Sequence, residues 1–391
     1  MSATGATLRF QHNPALDGLR ALAVLLVIWQ HSHTATLLYR KTGFFIGGFI
    51  GVDVFFVLSG FLISSILILE IKATGRIEYR NFYVRRALGL IPALMLGLAL
   101  FLVPRCVFQP ELRSSLLRDI AYAATYTTNI PRTLARFLSP DTQPFYFAHT
   151  WSLAIEEQFY LAFPLFLFGA YRRRLRFFSG AAALRLLVLP CIALPLSFLL
   201  FREGAYDFPV WRIGQFGLGL YAGLIYLNLR HPDAFASDPI YGAPAGVAAH
   251  VRTALSAPAA RWLTGTAILI SACVCRSGRP EMYVIGFPIV SLAAAAMILQ
   301  VALAGISGGS GMFASPVMTY LGRISYGLYV FTFPIWQITE GCFRKETVNG
   351  GAALLRALAG DTVLLAATTA VAALSFHFVE TPFLRWKRNF T

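Results

Sequence analysis

Apolar runs of about 20 residues, the length that crosses a bilayer as a helix, alternate along the chain with short stretches rich in Arg and Lys. Ten runs stand out, roughly at 16–40, 44–71, 87–104, 150–170, 184–201, 209–229, 262–276, 282–304, 316–338 and 353–378. A further candidate, "SLLRDIAYAATYTTNI" at 115–130, carries Arg118 and Asp119 and few large apolar residues. If it crossed, "YRRRLRFF" at 171–178 would face outward, against the retention of Lys and Arg on the cytoplasmic side. Without it, the basic stretches 72–86, Arg172–Arg176, 230–261 and the closing "RWKR" all fall inside. The pattern predicts an all-α, polytopic membrane protein of about ten transmembrane helices with both termini cytoplasmic. Segment 115–130 is expected as an external or re-entrant helix. No internal repeat or low-complexity tract divides residues 1–391, so a single membrane domain with no appended soluble domain is expected.

Composition sharpens this picture. The chain is 57% hydrophobic and only 13% charged, with a mean hydropathy of +0.63, whereas soluble domains are about a quarter charged. The net charge of +15 is accounted for by basic inner loops, which excludes a nucleic-acid partner. Five scattered cysteines (Cys106, Cys191, Cys273, Cys275 and Cys342) have no CxxC spacing. They read as structural thiols, with no metal site and no disulfide framework. The polar first fifteen residues and the long run behind them do not resemble a cleaved leader.

Ionisable residues inside apolar runs are costly and usually functional. Arg20 and His31 are eleven positions apart, about 1100° around a helix, so they share a face about 16 Å apart along the axis. Arg20 is expected near the inner surface and His31 in the outer half. On this helix alone, a snorkelling arginine and a histidine bonded to a neighbour fit equally well. Asp53 in "GFIGVDVFFVLSGFLI" falls at the depth of His31, where a carboxylate would orient the imidazole as a general base. Glu156 and Glu157 in "HTWSLAIEEQFYLAFP" reach the same level, and one of them is expected to pair with an arginine such as Arg212. Ser59 and Gly47, Gly48, Gly51 and Gly60 read as packing residues. At the inner helix ends, Arg20, Arg85, Arg86 and Arg323 suit an anion bearing phosphates, although Arg323 could instead pair with Glu380.

In order and spacing, "LDGLRALAVLLVIWQH", "GVDVFFVLSGFLI", "FYVRR…IP", "WSLAIEEQFYL", "YLGRISYGLYVF…P" and "HFVETP" resemble the membrane acyltransferase 3 family. That family includes bacterial O-acyltransferases of O-antigen, Nod factor, exopolysaccharide and macrolide sugars. The resemblance covers about residues 14–388. It implies a bacterial cytoplasmic-membrane enzyme with acyl-CoA, foremost acetyl-CoA, as co-substrate and no permanently bound cofactor. The acceptor would be a hydroxyl of a saccharide or glycoside. His31 matches the family's essential histidine, Arg20 its paired basic residue, and Arg85 and Arg86 its donor-side stretch.

The expected roles are therefore His31 as base with Asp53, Glu156 and Glu157, and Arg20, Arg85, Arg86 and Arg323 on acyl-CoA. Arg212 and Trp151 are expected on the acceptor. With no Ser or Cys nucleophile beside the histidine, direct transfer is preferred to an acyl-enzyme. The chain departs from the family pattern at Gly89, where a further arginine is usual and another cation can substitute. It departs also at Ala154, Gln215, Phe331 and Thr332. The rival readings are a proton-coupled transporter or flippase for a polar or lipid-linked sugar, and a non-catalytic scaffold.

Overall fold

The computed structural model describes residues 8–108, 113–138, 145–175, 206–207, 209–235, 238–242, 245–276, 279–306, 311–343 and 351–390. The run at 184–201 and Cys191 lie outside the described residues. In hydrocarbon, backbone polar groups must be satisfied within the segment, and every regular element among the described residues is helical. Among the described residues, five helices are long and apolar enough to cross a membrane: Gly47–Thr74, Tyr79–Leu102, Ala148–Arg172, Met282–Ala304 and Gly351–Trp386. Two bent pairs raise the number to seven if each is one span. The chain is a membrane protein.

The predicted first run is not one helix. It divides into α1 (Pro14–Gln30) and α2 (His33–Thr42), bent by 61°. The cause is local: the Ser32 hydroxyl accepts the Ala35 amide at 2.9 Å, which caps a new helix start. Then follow α3 (Ile50–Thr74), α4 (Tyr79–Phe108), α5 (Arg113–Ala124) and α6 (Asn129–Leu138). At 12 and 10 residues, α5 and α6 extend only about 18 and 15 Å. Segment 115–130 accordingly forms no spanning helix.

The order continues with α7 (Trp151–Arg172), α8 (Pro209–Arg230), α9 (Ala245–Ser256), α10 (Pro258–Val274) and α11 (Phe287–Ile306). The predicted run at 316–338 divides at Ile324 into α12 (Pro316–Arg323) and α13 (Ser325–Phe343). The chain closes with α14 (Gly351–Leu374) and α15 (Thr381–Trp386). A wide π-helical turn, Ser375–Glu380, joins these last two. Such turns recur at functional sites.

Helix α3 is apolar nearly all round and lies at the centre, packed on α1, α7, α8 and α11. By contrast, α4 and α14 turn Leu100 and Leu355 outward, as lipid-facing helices do. Small residues bring α3 and α8 together. A Cβ on Gly219 would collide with the Val57 carbonyl oxygen and one on Gly60 with that of Phe216. Gly219→Val is therefore expected to cost about 1–3 kcal/mol as overpacking. A lowered unfolding temperature in detergent would show it, and an unchanged one would mean that the α3–α8 crossing is looser than described.

Candidate functional site

His31 sits at the break between α1 and α2, as the residue that ends α1. There the helix leaves carbonyls without intrahelical partners, and His31 Nδ1 lies 3.0 Å from the Val27 carbonyl. A carbonyl only accepts, so Nδ1 carries the proton. In the neutral ring the lone pair is then on Nε2. Phe333 and Trp336 of α13 pack edge-on against the imidazole, with centroids 5.5 and 5.6 Å away. Behind Phe333 stands His149, stacked at 4.9 Å. Pro334 in α13 has no N–H, which releases the Val330 carbonyl, and His149 Nε2 donates to that oxygen at 3.3 Å.

A cavity of about 250 Å³ opens at the end of the bundle that carries Arg20. Arg20 (α1), Arg85 and Arg86 (α4), Arg323 (α12) and Lys387 line its basic mouth. Asp17 holds two of these in place, 3.8 Å from Arg20 and 4.0 Å from Arg323. Deeper in, the lining turns to Ser59, Glu156, Glu157, Tyr126, Tyr326, Tyr329 and Ser152. The Glu156 carboxylate accepts the Ser59 and Tyr160 hydroxyls, both at 2.5 Å. The Arg86 guanidinium carbon lies over the Tyr160 ring, 3.4 Å from its centroid, and within electrostatic reach of both glutamates. A second cavity, of about 360 Å³ between α4 and α7, shares Arg86, Leu90, Tyr126 and Glu157 with the first. These four residues therefore form a wall open on both sides.

His31 does not line the first cavity. Ser152 and Tyr329, hydrogen-bonded to each other, close its deep end, and Tyr329 donates to the His149 carbonyl at 2.8 Å. Three side chains in succession, Tyr329, His149 and Phe333, thus stand between cavity and imidazole. Helical periodicity put Arg20 and His31 on one face, but only Arg20 reaches this space.

Several expected contacts are replaced. Asp53 does not orient His31. It is fully buried and bonded to Arg212 Nη1 at 2.8 Å and to the Gln215 amide. The Val27 carbonyl orients the imidazole instead. Arg212 pairs with neither Glu156 nor Glu157, which lie by Arg86. It is buried among Phe56, Trp151, Tyr206 and Phe287 and does not line the cavity, so it is not placed to touch an acceptor there. Trp151 is buried in the same packing, 4.9 Å from Tyr206, and does not line the cavity either. Ser59, expected as packing, is exposed to the cavity. Arg323 lies by Asp17, while Glu380 receives the Ser375 hydroxyl at 2.8 Å.

Sequence reading missed Asp17, Tyr326, Tyr329 and Lys387. The "LDGLR" stretch offered a signal for Asp17, a carboxylate three residues before an arginine. For Lys387 there was none, because a basic tail reads as topology. Lys387 follows α15, outside the spans. Burial and the nearby Arg86, Arg85 and Arg20 push its ammonium below the usual lysine range. Among the described residues, no group of three His, Cys, Asp or Glu could hold a metal ion. The arrangement offers a cationic mouth for a multiply charged anion. Hydroxyl and carboxylate groups line the interior, and the His31 imidazole lies beyond Tyr329, His149 and Phe333.

The model of a family described as "Acyltransferase domain" matches residues 13–377. Over 382 residues the chain is 31% identical to the peptidoglycan O-acetyltransferase OatA of Listeria monocytogenes, covering 94% of this chain and 55% of that protein. It is 29% identical to the O-acetyltransferase OatA of Staphylococcus aureus over 374 residues, covering 94% and 57%. The chain spans little more than half the length of these curated relatives. No solved structure matches it.

Proposed function

The chain belongs to this acyltransferase family, and from that membership we propose that it is a membrane O-acyltransferase of the bacterial cytoplasmic membrane. Its donor is acyl-CoA, foremost acetyl-CoA, and its acceptor a hydroxyl of a saccharide, as the Listeria relative named a peptidoglycan O-acetyltransferase suggests. The observation that carries this reading is the cavity itself: Arg20, Arg85, Arg86 and Arg323 converge at its mouth, the charge pattern a phosphorylated carrier requires.

With both termini cytoplasmic and about ten spans in one domain, that mouth faces the cytoplasm. The thioester enters mouth-first with its phosphates on the arginines and its acyl end toward Tyr329 and Ser152. Tyr329, His149 and Phe333 move aside when the acceptor arrives. His31 Nε2 then removes the hydroxyl proton as the oxygen attacks the thioester carbonyl. The C–O bond forms, the C–S bond breaks, and the departing CoA thiolate takes the proton back from the imidazolium. Glu156 and Glu157 accept hydrogen bonds from the other acceptor hydroxyls. Direct transfer needs no acyl-enzyme.

The test is radiolabelled acetyl-CoA supplied to purified protein in vesicles, with cell-wall glycan as acceptor. Label appearing in the glycan together with released CoA is the expected result. Folded protein that neither binds nor releases CoA would overturn the reading.

A further inference from the structure

The cavity-facing side of α4 carries Arg85 and Arg86 and then, one turn on, nothing: residue 89 is glycine. A methyl group built on Gly89 would have one neighbour within 4 Å, Lys387 Nζ at 3.8 Å. We propose that Lys387 is a phosphate-binding residue of the donor site, a cation delivered by the C-terminal segment to the place that Gly89 leaves bare. The inference rests on reading the cavity as the site of a CoA thioester.

Four observations converge on it. First, Lys387 lines the same cavity as the four arginines. Second, the charges acting on it are Arg86, Arg85 and Arg20, all cations, and among the described residues no carboxylate pairs with it. A lysine that merely snorkelled would point outward to water, whereas this one is half-buried beside guanidiniums that repel it. Third, positive charge is in excess, with five cations (Arg20, Arg85, Arg86, Arg323 and Lys387) against Glu156, Glu157 and Glu380 in the lining and Asp17 beside Arg20 and Arg323, and none of these four carboxylates pairs with Lys387. An anion with several charges relieves that imbalance, and an ammonium with three donors can follow a phosphate as it moves. Fourth, the segment is held against α4: Arg85 Nη1 donates to the Phe390 carbonyl at 2.5 Å, and both α15 and Lys387–Phe390 pack on α4.

A lipid headgroup offers the same phosphate chemistry, so the experiment separates the two sources. Binding of labelled CoA is measured in vesicles of phosphatidylcholine alone and with added phosphatidylglycerol, for wild type, Lys387→Met, Lys387→Arg and the double variant Lys387→Met/Gly89→Arg. The expected result in phosphatidylcholine is about tenfold weaker CoA binding by Lys387→Met. Near-normal binding by Lys387→Arg and recovery in the double variant would confirm a charge effect in a folded protein. Binding of pantetheine, which has no phosphate, should not change. Equal CoA binding by wild type and Lys387→Met overturns the role of Lys387 and leaves the donor reading standing. An effect seen only with phosphatidylglycerol assigns the lysine to lipid and overturns it as well. If wild type itself binds no CoA, both readings fall.

Discussion

Replacing His31 with glutamine is expected to slow acyl transfer by roughly 10²–10⁴-fold, the usual contribution of a positioned base, while CoA binding and the unfolding temperature stay close to wild type. The separation follows from geometry. His31 is outside the cavity proposed for the donor, and its polar anchor is the Val27 carbonyl at 3.0 Å, which a glutamine amide can also satisfy. The bond fixes the tautomer, so the ring needs no carboxylate to direct Nε2 as acceptor. Measured side by side, turnover and CoA affinity decide the matter. A variant that still transfers acyl groups removes His31 from proton transfer, and one that loses CoA affinity moves it to the donor site.

Removing Asp53 has a different signature. Asp53→Ala leaves Arg212 charged and buried among four aromatic rings, and an uncompensated charge of this kind costs about 3–5 kcal/mol. Adding Arg212→Met should recover much of that loss, because the pair is then replaced by apolar volume. Thermal unfolding of the single and double variants in detergent is the measurement. If Asp53→Ala unfolds at the wild-type temperature but no longer transfers acyl groups, the carboxylate acts in the chemistry and the structural account of it fails. Gln215 belongs to the same unit. Its neutral amide donates to Asp53, where a glutamate would bring a second buried carboxylate against the first.

Helix lengths were legible in the sequence because hydrocarbon thickness imposes them, and α3, α7 and α11 lie close to the runs read for them. Depth was not: counting from helix ends put Asp53 and His31 at one level, but Gly48 packs on Leu26 and Gln30 and Gly51 on Ala23 and Val27, which carries Asp53 further into the bundle than His31. Which side chains meet was hidden as well. Asp53 and Arg212 are 159 positions apart, and the choice between Arg212 and His31 as partner depends on how α3 packs on α8 and α1. The breaks at Ser32 and Ile324 were hidden for another reason: hydropathy averages over a window and passes across a single capping residue. Ser32 itself, followed by a fresh helical stretch, was the available sign. The basic mouth was half visible. Its arginines stand out within apolar runs, whereas Lys387 in "RWKR" is indistinguishable from any inner-surface tail until Gly89 is found opposite it.

The continuous helical run Gly351–Trp386 has 36 residues, about 54 Å at 1.5 Å per residue. The hydrocarbon layer is about 30 Å thick. Such a run must tilt, or lift one end into the headgroups, and a thicker or thinner bilayer changes the balance between the two. The lifted end is the one that delivers Glu380 and Lys387 to the cavity. Acyl chain length and unsaturation in the surrounding lipids therefore set how deep this cationic end sits, and under the proposed function donor affinity becomes a property of the membrane as well as of the protein.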